Sequence, residues 1–429
     1  MTRDTKPLAC VILAAGKGTR MKSGKPKIMH DLAGRPVIQW ILATIEELNP
    51  ERIIPVIGPD MDDVATAVKP YEVAVQSERL GTGDAVKQAL PALKDFDGDV
   101  LILLGDAPLI RPETLCSLVE TRASGEEVGL SVLGAHLQDP TGYGRLMTGA
   151  DNSLDKIVED KDASPEERRN TLVNTGAFCV DGRFLEHWVK KISADNAQKE
   201  YYITDLPEIA AADNKITKVF VCDEPQEICG MNSRRDLAEL EALVQDRLRN
   251  QAMEEGVTLK DPSTVYFSYD TRLGRDVLVG PNVVFGPKVD VADNVVIHSF
   301  SHLEGVRVEQ GASIGPFARL RPGARIGPDA RIGNFVEVKN ATLGKGAKAN
   351  HLAYIGDATL GDNVNFSAGA ITVNYDGYEK HHSEIAENVM VGCNVNLVAP
   401  VKIGAGAVLA AGSTITENIP EDALSVARN

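Results

Sequence analysis

Positive charge is scarce in this chain. Lysine and arginine number 45 against 61 aspartates and glutamates, a formal net charge of −16. So acidic a surface repels phosphate backbones and anionic lipid, so no nucleic acid and no membrane is expected as a partner, and any anionic ligand needs a local basic pocket. Long apolar runs are missing too: Ala9 to Ala15 is among the longest, far short of the roughly 20 residues of a spanning helix. The segment Met1-Thr2-Arg3-Asp4 leads into a strand-like stretch without the apolar core and small-residue cleavage site of a secretory signal. Cys10, Cys116, Cys179, Cys222, Cys229 and Cys393 are scattered and form no CxxC pair. That disfavours zinc and a disulfide framework and suits reduced thiols in a cytoplasm. What remains is ordinary globular composition, 43% hydrophobic and 25% charged, over 429 residues, enough for two domains.

The periodicity changes along the chain. From residue 7 to about 230, strand-like runs (Leu8 to Leu13, Arg52 to Ile57, Asp99 to Leu104) alternate with helix-like segments (Val37 to Leu48, Asp63 to Val68, Asp84 to Leu93). Near-continuous apolar runs between amphipathic segments predict a parallel sheet covered by helices on both faces. Asn232 to Met253 reads as one helix, with Leu237, Leu240, Leu243, Val244 and Leu248 at helical spacing and Asn232 or Ser233 as its cap.

After Thr264 an apolar residue recurs every six positions: Leu273, Val279, Phe285, Val291, Ile297, Leu303, then Val308, Ile314, Leu320, Ile326, Ile332, Val338, and again Ile385, Val391, Leu397, Ile403, Leu409, Ile415. A period of six is neither helical nor that of a hairpin array; it is the signature of a hexapeptide β-helix. Each six-residue side points its apolar residue inward, three sides make a coil, and stacking stabilises what no coil could bury alone. The polar segment Val373 to Glu384 interrupts the array as an inserted loop, a natural place for function on a rigid support.

The first strand ends in Leu13-Ala14-Ala15-Gly16-Lys17-Gly18-Thr19-Arg20-Met21, followed by Lys25-Pro26-Lys27. A glycine-rich turn after a strand presents backbone N–H groups to phosphate. The third glycine of the dinucleotide fingerprint and the Walker pattern are both absent. Lys17, Arg20 and Lys27 cluster positive charge where a triphosphate fits. Asp106, just past the strand ending at Leu104, suits Mg²⁺, a hard cation that favours oxygen ligands. Gly81-Thr82-Gly83 is a second close-approach turn, and Gln76 before it can read a base edge.

The run "LAAGKGTRM…KPK" resembles the nucleotide-sugar pyrophosphorylases. Gln76, "LGTGDA", "GDAPL", "DPTGYGR", "IVEDKDA", "VNTG" and "EYYITD" follow in order. With the hexapeptide half, nearly the whole chain is similar to the bifunctional N-acetylglucosamine-1-phosphate uridylyltransferase/glucosamine-1-phosphate acetyltransferase family. The resemblance implies a Rossmann-like α/β nucleotidyltransferase domain with a mostly parallel sheet over 1–231, a connector helix over 232–253, and a left-handed parallel β-helix acetyltransferase over 254–429. It implies cytoplasmic homotrimers that make UDP-N-acetylglucosamine for peptidoglycan and lipopolysaccharide from UTP, acetyl-CoA and glucosamine-1-phosphate, by way of N-acetylglucosamine-1-phosphate. By the same resemblance Leu13, Ala14 and Gly16 line the nucleotide site, Arg20 and Lys27 hold the UTP phosphates, and Gln76, Gly81 and Thr82 bind uracil. Asp106 and Asn232 bind Mg²⁺, and Gly144, Glu159 and Asn174 grip the N-acetylglucosamine. Leu104 departs from the family, whose members often have tyrosine there.

Uridylyl transfer needs no general base, because the attacking phosphate is already anionic; alignment and charge neutralisation must serve. Acetyl transfer to an amine does need one, since the amine must shed a proton, and histidine is the usual side chain. His351 in the coils competes with His381 and His382 in the inserted loop, while His298 and His302 lie in coils far from that loop. The resemblance selects His351. It also implies that Arg321, Lys339, Tyr354, Asn365 and Lys380 bind glucosamine phosphate, and that Asn374 and Tyr375 lie near the acetyl group. Ala368, Cys393, Ala411 and Arg428 would contact acetyl-CoA. Cys393 stands where relatives commonly have serine, and Ser367 where they have glycine. A covalent acetyl-cysteine is not expected, because direct attack within a ternary complex needs none. The sequence ends at Asn429, without the basic tail of some relatives, so weaker hold on the coenzyme A phosphates is expected. The rival reading is a one-reaction nucleotidyltransferase whose β-helix only builds the oligomer.

Overall fold

The computed structural model describes residues 6–149, 153–196 and 198–427. The chain divides into two compact units, Met1–Ala242 and Leu243–Asn429. The division falls inside a 21-residue helix, Arg234–Glu254.

Among the described residues the main sheet of the first unit has nine strands: β1 (Leu8–Leu13), β2 (Arg52–Ile57), β3 (Ala74–Val75), β4 (Asp99–Leu104), β5 (Val128–His136), β6 (Arg145–Thr148), β7 (Leu154–Val158), β8 (Leu172–Asp181) and β9 (Ile216–Cys222). Seven lie in the order β9-β5-β8-β4-β1-β2-β3, and β6 and β7 form a ribbon attached to β8. β4, β1, β2 and β3 are parallel, as is β9 to β5. β8 runs antiparallel to both β4 and β5. That reversal has no sequence signal, because a strand buried on both faces reads as the same apolar run in either direction.

Alternate residues of the central strands enter opposite cores, as the strand period of two requires. Ala9 and Val11 of β1 join Val100 and Ile102 of β4 under the helices Thr82–Ala89 and Gly182–Lys191. Cys10, Ile12, Leu101 and Leu103 face the helices Val37–Glu47 and Pro112–Arg122. The expected helix over 84–93 is split: an α-helix ends at Ala89 and a 3-10 turn covers Leu90–Leu93, where Pro91 cannot continue the α ladder.

In the second unit the hexad residues form continuous parallel ladders. Val279 pairs with Ile297, Ile297 with Ile314 and Ile314 with Ile332, each one coil on. The ladder continues through Ala349 and Phe366 to Val391 and Leu409. Thus the array runs unbroken through residues 338–385, where the period of six fades. Glu337–Leu343 and Tyr354–Leu360 are seven-residue strands that turn a corner at Asn340 and Asp357, both in the left-handed region. Val338, Leu343, Ile355 and Leu360 still point into the common apolar core. The insertion is narrower than its sequence bounds, since Val373 closes one strand and Ser383 opens the next.

Candidate active sites

In the first unit a cleft of about 370 Å³ opens at the carboxyl ends of β1 and β4. Leu13, Ala14, Gly16, Lys27, Gln76, Gly81, Thr82, Asp106 and Glu159 line it, together with Leu104. Lys27 is the centre of its charge. Its ammonium forms an ion pair with Asp106 and lies 3.2 Å from Asn232 Oδ1. Arg20 donates to the same Oδ1 at 2.9 Å. Gly18 makes this possible: its φ is +59°, and a Cβ there would sit 2.6 Å from the Lys27 Cβ.

Asn232 is held by the start of its helix. Ser233 Oγ accepts from the Asp236 N–H at 3.3 Å, while Asp236 accepts from the backbone N–H groups of Asn232 (2.8 Å) and Ser233 (2.9 Å). This reciprocal cap settles which residue does what: Ser233 caps, and the Asn232 side chain is released towards the two cations. Asp236 is a positioning residue the sequence reading missed, although Ser-x-x-Asp before an apolar stripe was a visible signal.

Gln76 is buried, and its Nε2 donates to Gly81 O (3.0 Å) and Asp84 Oδ2 (2.8 Å). Its amide is therefore oriented with the nitrogen committed, leaving the oxygen side to a ligand. Arg79, also missed, lines the cleft and donates to Ala15 O at 2.6 Å, bracing the glycine-rich turn. Gly144, Asn174 and Glu159 converge beside the cleft: Asn174 N–H donates to Gly144 O at 2.8 Å, and a Cβ on Gly144 would lie 3.6 Å from both Asn174 Cβ and Glu159 Oε1. Burial raises the Glu159 carboxyl above its ordinary range, against a hydrogen bond from Thr204 at 3.1 Å. Leu104 packs on Gly176, where a Cβ would clash with the leucine side chain. No group of three or more His, Cys, Asp or Glu able to hold a metal occurs among the described residues. A cation here must be shared with an amide and with ligand oxygens, which is the usual habit of Mg²⁺.

In the second unit the expected residues fall on two adjoining sides and the corner between them. Arg321 pairs with Glu337 at 2.7 Å, and Glu337 lies in register with Tyr354 on the next coil. Lys339 follows on the same strand, and its pKa is lowered chiefly by the ammonium of Lys380, then by desolvation and by Arg321. Three cations thus gather without enough anions. Asn374 donates to buried Asp357. Tyr375 is exposed and donates to Gly377 O at 2.7 Å.

His351 stands at the corner, exposed, with Nδ1 2.7 Å from Asn334 Oδ1 one coil before. An amide oxygen there makes Nδ1 the donor and leaves Nε2 as the basic nitrogen. Its rivals are engaged elsewhere: His381 pairs with Asp376 at 2.7 Å, and His382 meets Thr359 at 3.0 Å. Ala368, Cys393 and Ala411 climb the same corner on successive coils, as the bonds Gly369 N–H to Leu352 O (2.9 Å), Asn394 N–H to Ala368 O (2.9 Å) and Gly412 N–H to Cys393 O (2.8 Å) record. Asn365 lies on the side that carries Lys348–His351, away from Lys339, and donates to Ser367 Oγ at 3.0 Å. Arg428 lies outside the described residues. All six cysteines are free, and no described helix is long and apolar enough to cross a membrane.

Residues 10–165 match the MobA-like NTP transferase domain, and 270–305, 305–340 and 382–417 match the bacterial transferase hexapeptide (six repeats). The chain is 51% identical to the bifunctional protein GlmU of Paramagnetospirillum magneticum, over 98% of this chain and 93% of that one. It is 52% identical to the GlmU of Azorhizobium caulinodans (99% and 94%) and 47% identical to that of Zymomonas mobilis (99% and 95%). With this identity sustained across both units, the chain belongs to the GlmU family of bifunctional proteins.

Proposed function

We propose that the protein acetylates glucosamine-1-phosphate with acetyl-CoA in its β-helix. It then joins the N-acetylglucosamine-1-phosphate to UMP from UTP in its first unit, releasing pyrophosphate and UDP-N-acetylglucosamine, the activated sugar for peptidoglycan and lipopolysaccharide. The observation that carries this reading is the presence of two separate, chemically different sites: a cation-lined cleft without a general base, and a corner histidine beside a cluster of cations.

In the cleft, Arg20 and Lys27 receive the triphosphate. Gln76, Gly81 and Thr82 hold uracil, and Gly144, Glu159 and Asn174 hold the acetylated sugar. The sugar phosphate attacks the α-phosphorus as an anion, so these residues align it and offset charge. Asp106 and Asn232 would hold Mg²⁺; their oxygens already accommodate a positive charge, that of Lys27. Mg²⁺ supplies further neutralisation of the phosphates there.

In the β-helix, Arg321, Lys339 and Lys380 take the sugar phosphate, whose charge relieves their mutual repulsion. Tyr354 and Asn365 complete that site. Nε2 of His351 removes a proton from the amine, which attacks the thioester carbonyl; the coenzyme A sulfur leaves and is protonated. Asn374, Tyr375, Ala368, Cys393, Ala411 and Arg428 face acetyl-CoA. A scaffold with no chemistry of its own has no use for the Lys339–Lys380 pair or the His351–Asn334 bond, which disfavours a single-activity enzyme.

The working form is a homotrimer in the cytoplasm. Phe300, Phe317 and Phe335 stack on successive coils with centroids 5.0 and 5.1 Å apart, at positive φ and about half exposed. A bulky residue in that conformation costs roughly 1 kcal/mol or more, and its exposure adds to the cost. A neighbouring copy that covers the ridge offsets both, and it also brings a second side to a site whose Asn365 and Lys339 are on different sides of one prism. The test is to incubate the protein with glucosamine-1-phosphate, acetyl-CoA, UTP and Mg²⁺ and omit one at a time. Omitting acetyl-CoA must stop both products, and omitting UTP must leave N-acetylglucosamine-1-phosphate.

A further inference from the structure

Asp357 occupies the prism corner between Asn340 on the coil before and Asn374 on the coil after. It is 8% exposed, with φ +48°. Asn340 Nδ2 donates to its Oδ1 at 2.6 Å, and Asn374 Nδ2 donates to its Oδ2. Burial opposes its charge, but these two hydrogen bonds and the ammoniums of Lys380 and Lys339 outweigh it and hold the carboxyl below the usual range.

An ionised carboxylate only accepts hydrogen bonds. An asparagine facing it must turn its NH₂ inward and its carbonyl oxygen the other way. Asn374 is itself buried, at 9% exposure, so it has little room to adopt another pose. Its Oδ1 is not a buried unpartnered atom, and its one side-chain bond among the described residues is that to Asp357. The oxygen is therefore presented outward, at the base of the inserted loop that carries Lys380.

We propose that Asp357 is a positioning residue for acetyl transfer, turning the Asn374 amide so that Oδ1 accepts a hydrogen bond from the sugar amine. This rests on the acetyltransferase reading of the β-helix. An amine N–H tied to Oδ1 fixes the nitrogen so that its lone pair can face the thioester carbonyl, while His351 takes the departing proton. Asn374 neither gains nor loses a proton. Asp357 touches no substrate and acts through Asn374.

The test is steady-state acetylation by the full-length Asp357→Asn and Asn374→Ala variants and their double. Asp357→Asn keeps the volume but no longer dictates which way Asn374 turns. Its kcat should fall by about 10- to 10²-fold, the range for losing a hydrogen bond to a charged group. KM for glucosamine-1-phosphate should not rise, because removing a carboxylate near Lys339 and Lys380 does not weaken phosphate binding. In the Asn374→Ala background, Asp357→Asn should add no more than about twofold. Independent, additive losses, or a rise in both KM values alongside the fall in kcat, would overturn the proposal in favour of a merely structural corner. Circular dichroism and the thermal melt of the same preparation report folding of the β-helix. If Asp357→Asn does not fold, Asn374→Asp replaces it: that side chain cannot donate to Asp357, and full kcat in it overturns the proposal. If the parent protein does not acetylate glucosamine-1-phosphate, the acetyltransferase reading itself fails. If His351→Ala and Asn374→Ala lose activity while Asp357→Asn does not, or if Asn374→Ala acetylates normally, only the positioning role falls.

Discussion

Lys27 and Asp106 form an ion pair in the nucleotide cleft, each side chain only 15% exposed, and Asn232 touches the same ammonium. One cationic position therefore links the glycine-rich turn, the end of β4 and the start of the long helix. Asp106→Ala should lower kcat/KM of uridylyl transfer by on the order of 10²- to 10³-fold, the range for losing one preorganised electrostatic group. Acetyl transfer should persist. Pyrophosphate release and free-thiol release, measured on one preparation, check this; equal losses in a folded protein would contradict two separate sites.

Gly18→Ala addresses the same pair indirectly. At φ +59° an alanine costs roughly 1–2 kcal/mol, and its methyl would press on the Lys27 stem. The turn or Lys27 must shift, so uridylyl transfer should weaken by about tenfold, mostly as a higher KM for UTP. Unchanged KM for UTP would show that the turn does not position Lys27.

Asp205 offers a pH test of the first unit. Burial, with Glu208 and Glu159 nearby, raises its carboxyl to about 6. Its folded pKa lies above the unfolded value, so the folded state holds a proton that the unfolded chain releases. Its stability contribution is full below about pH 4 and is lost as pH rises through about 6. Asp205→Asn stays neutral throughout. By calorimetry its Tm advantage over the parent should be near zero at about pH 4 and largest above about pH 6.5; an offset independent of pH would count against the shift.

His351→Ala should reduce acetyl transfer by about 10²- to 10⁴-fold and leave uridylyl transfer unchanged. His381→Ala and His382→Ala should do little, because both side chains are engaged within the β-helix, with Asp376 and Thr359. Near-normal acetylation by His351→Ala beside a dead loop-histidine variant would transfer the base to the loop.

Phe317→Asp places a charge in the middle of the exposed phenylalanine stack. Aspartate tolerates positive φ, so the prism should survive. By light scattering the variant should be smaller than the parent, with acetyl transfer lost and uridylyl transfer largely kept. An unchanged particle mass would remove the ridge from the subunit contact.

Much of the fold is legible in local pattern. The inward positions from Leu273 to Val338 and from Ile385 to Ile415 follow directly from a period of six, because every side of the prism repeats the same steric problem. The first strand and its glycine-rich turn are equally plain. The pattern fades between Val338 and Ile385 because Asn340 and Asp357 turn corners within continuous strands, shortening the spacing from six to five at Val338–Leu343 and Ile355–Leu360. The direction of β8 left no trace either, since burial on both faces erases it.

The sequence alone therefore determined the two repeating architectures, the clustered cations after the first strand and the small set of histidines able to act as a base. Each depends on residue type and spacing along the chain. The tertiary structure decided the partners. It placed Lys27 against Asp106 and Asn232, set Arg79 behind the glycine-rich turn, gave His351 an amide from the coil before, and bracketed Asp357 between two asparagines. These contacts join residues a coil or many strands apart. Side-chain orientation at such distances is set by the packing of the whole sheet or prism, which no local window of sequence contains.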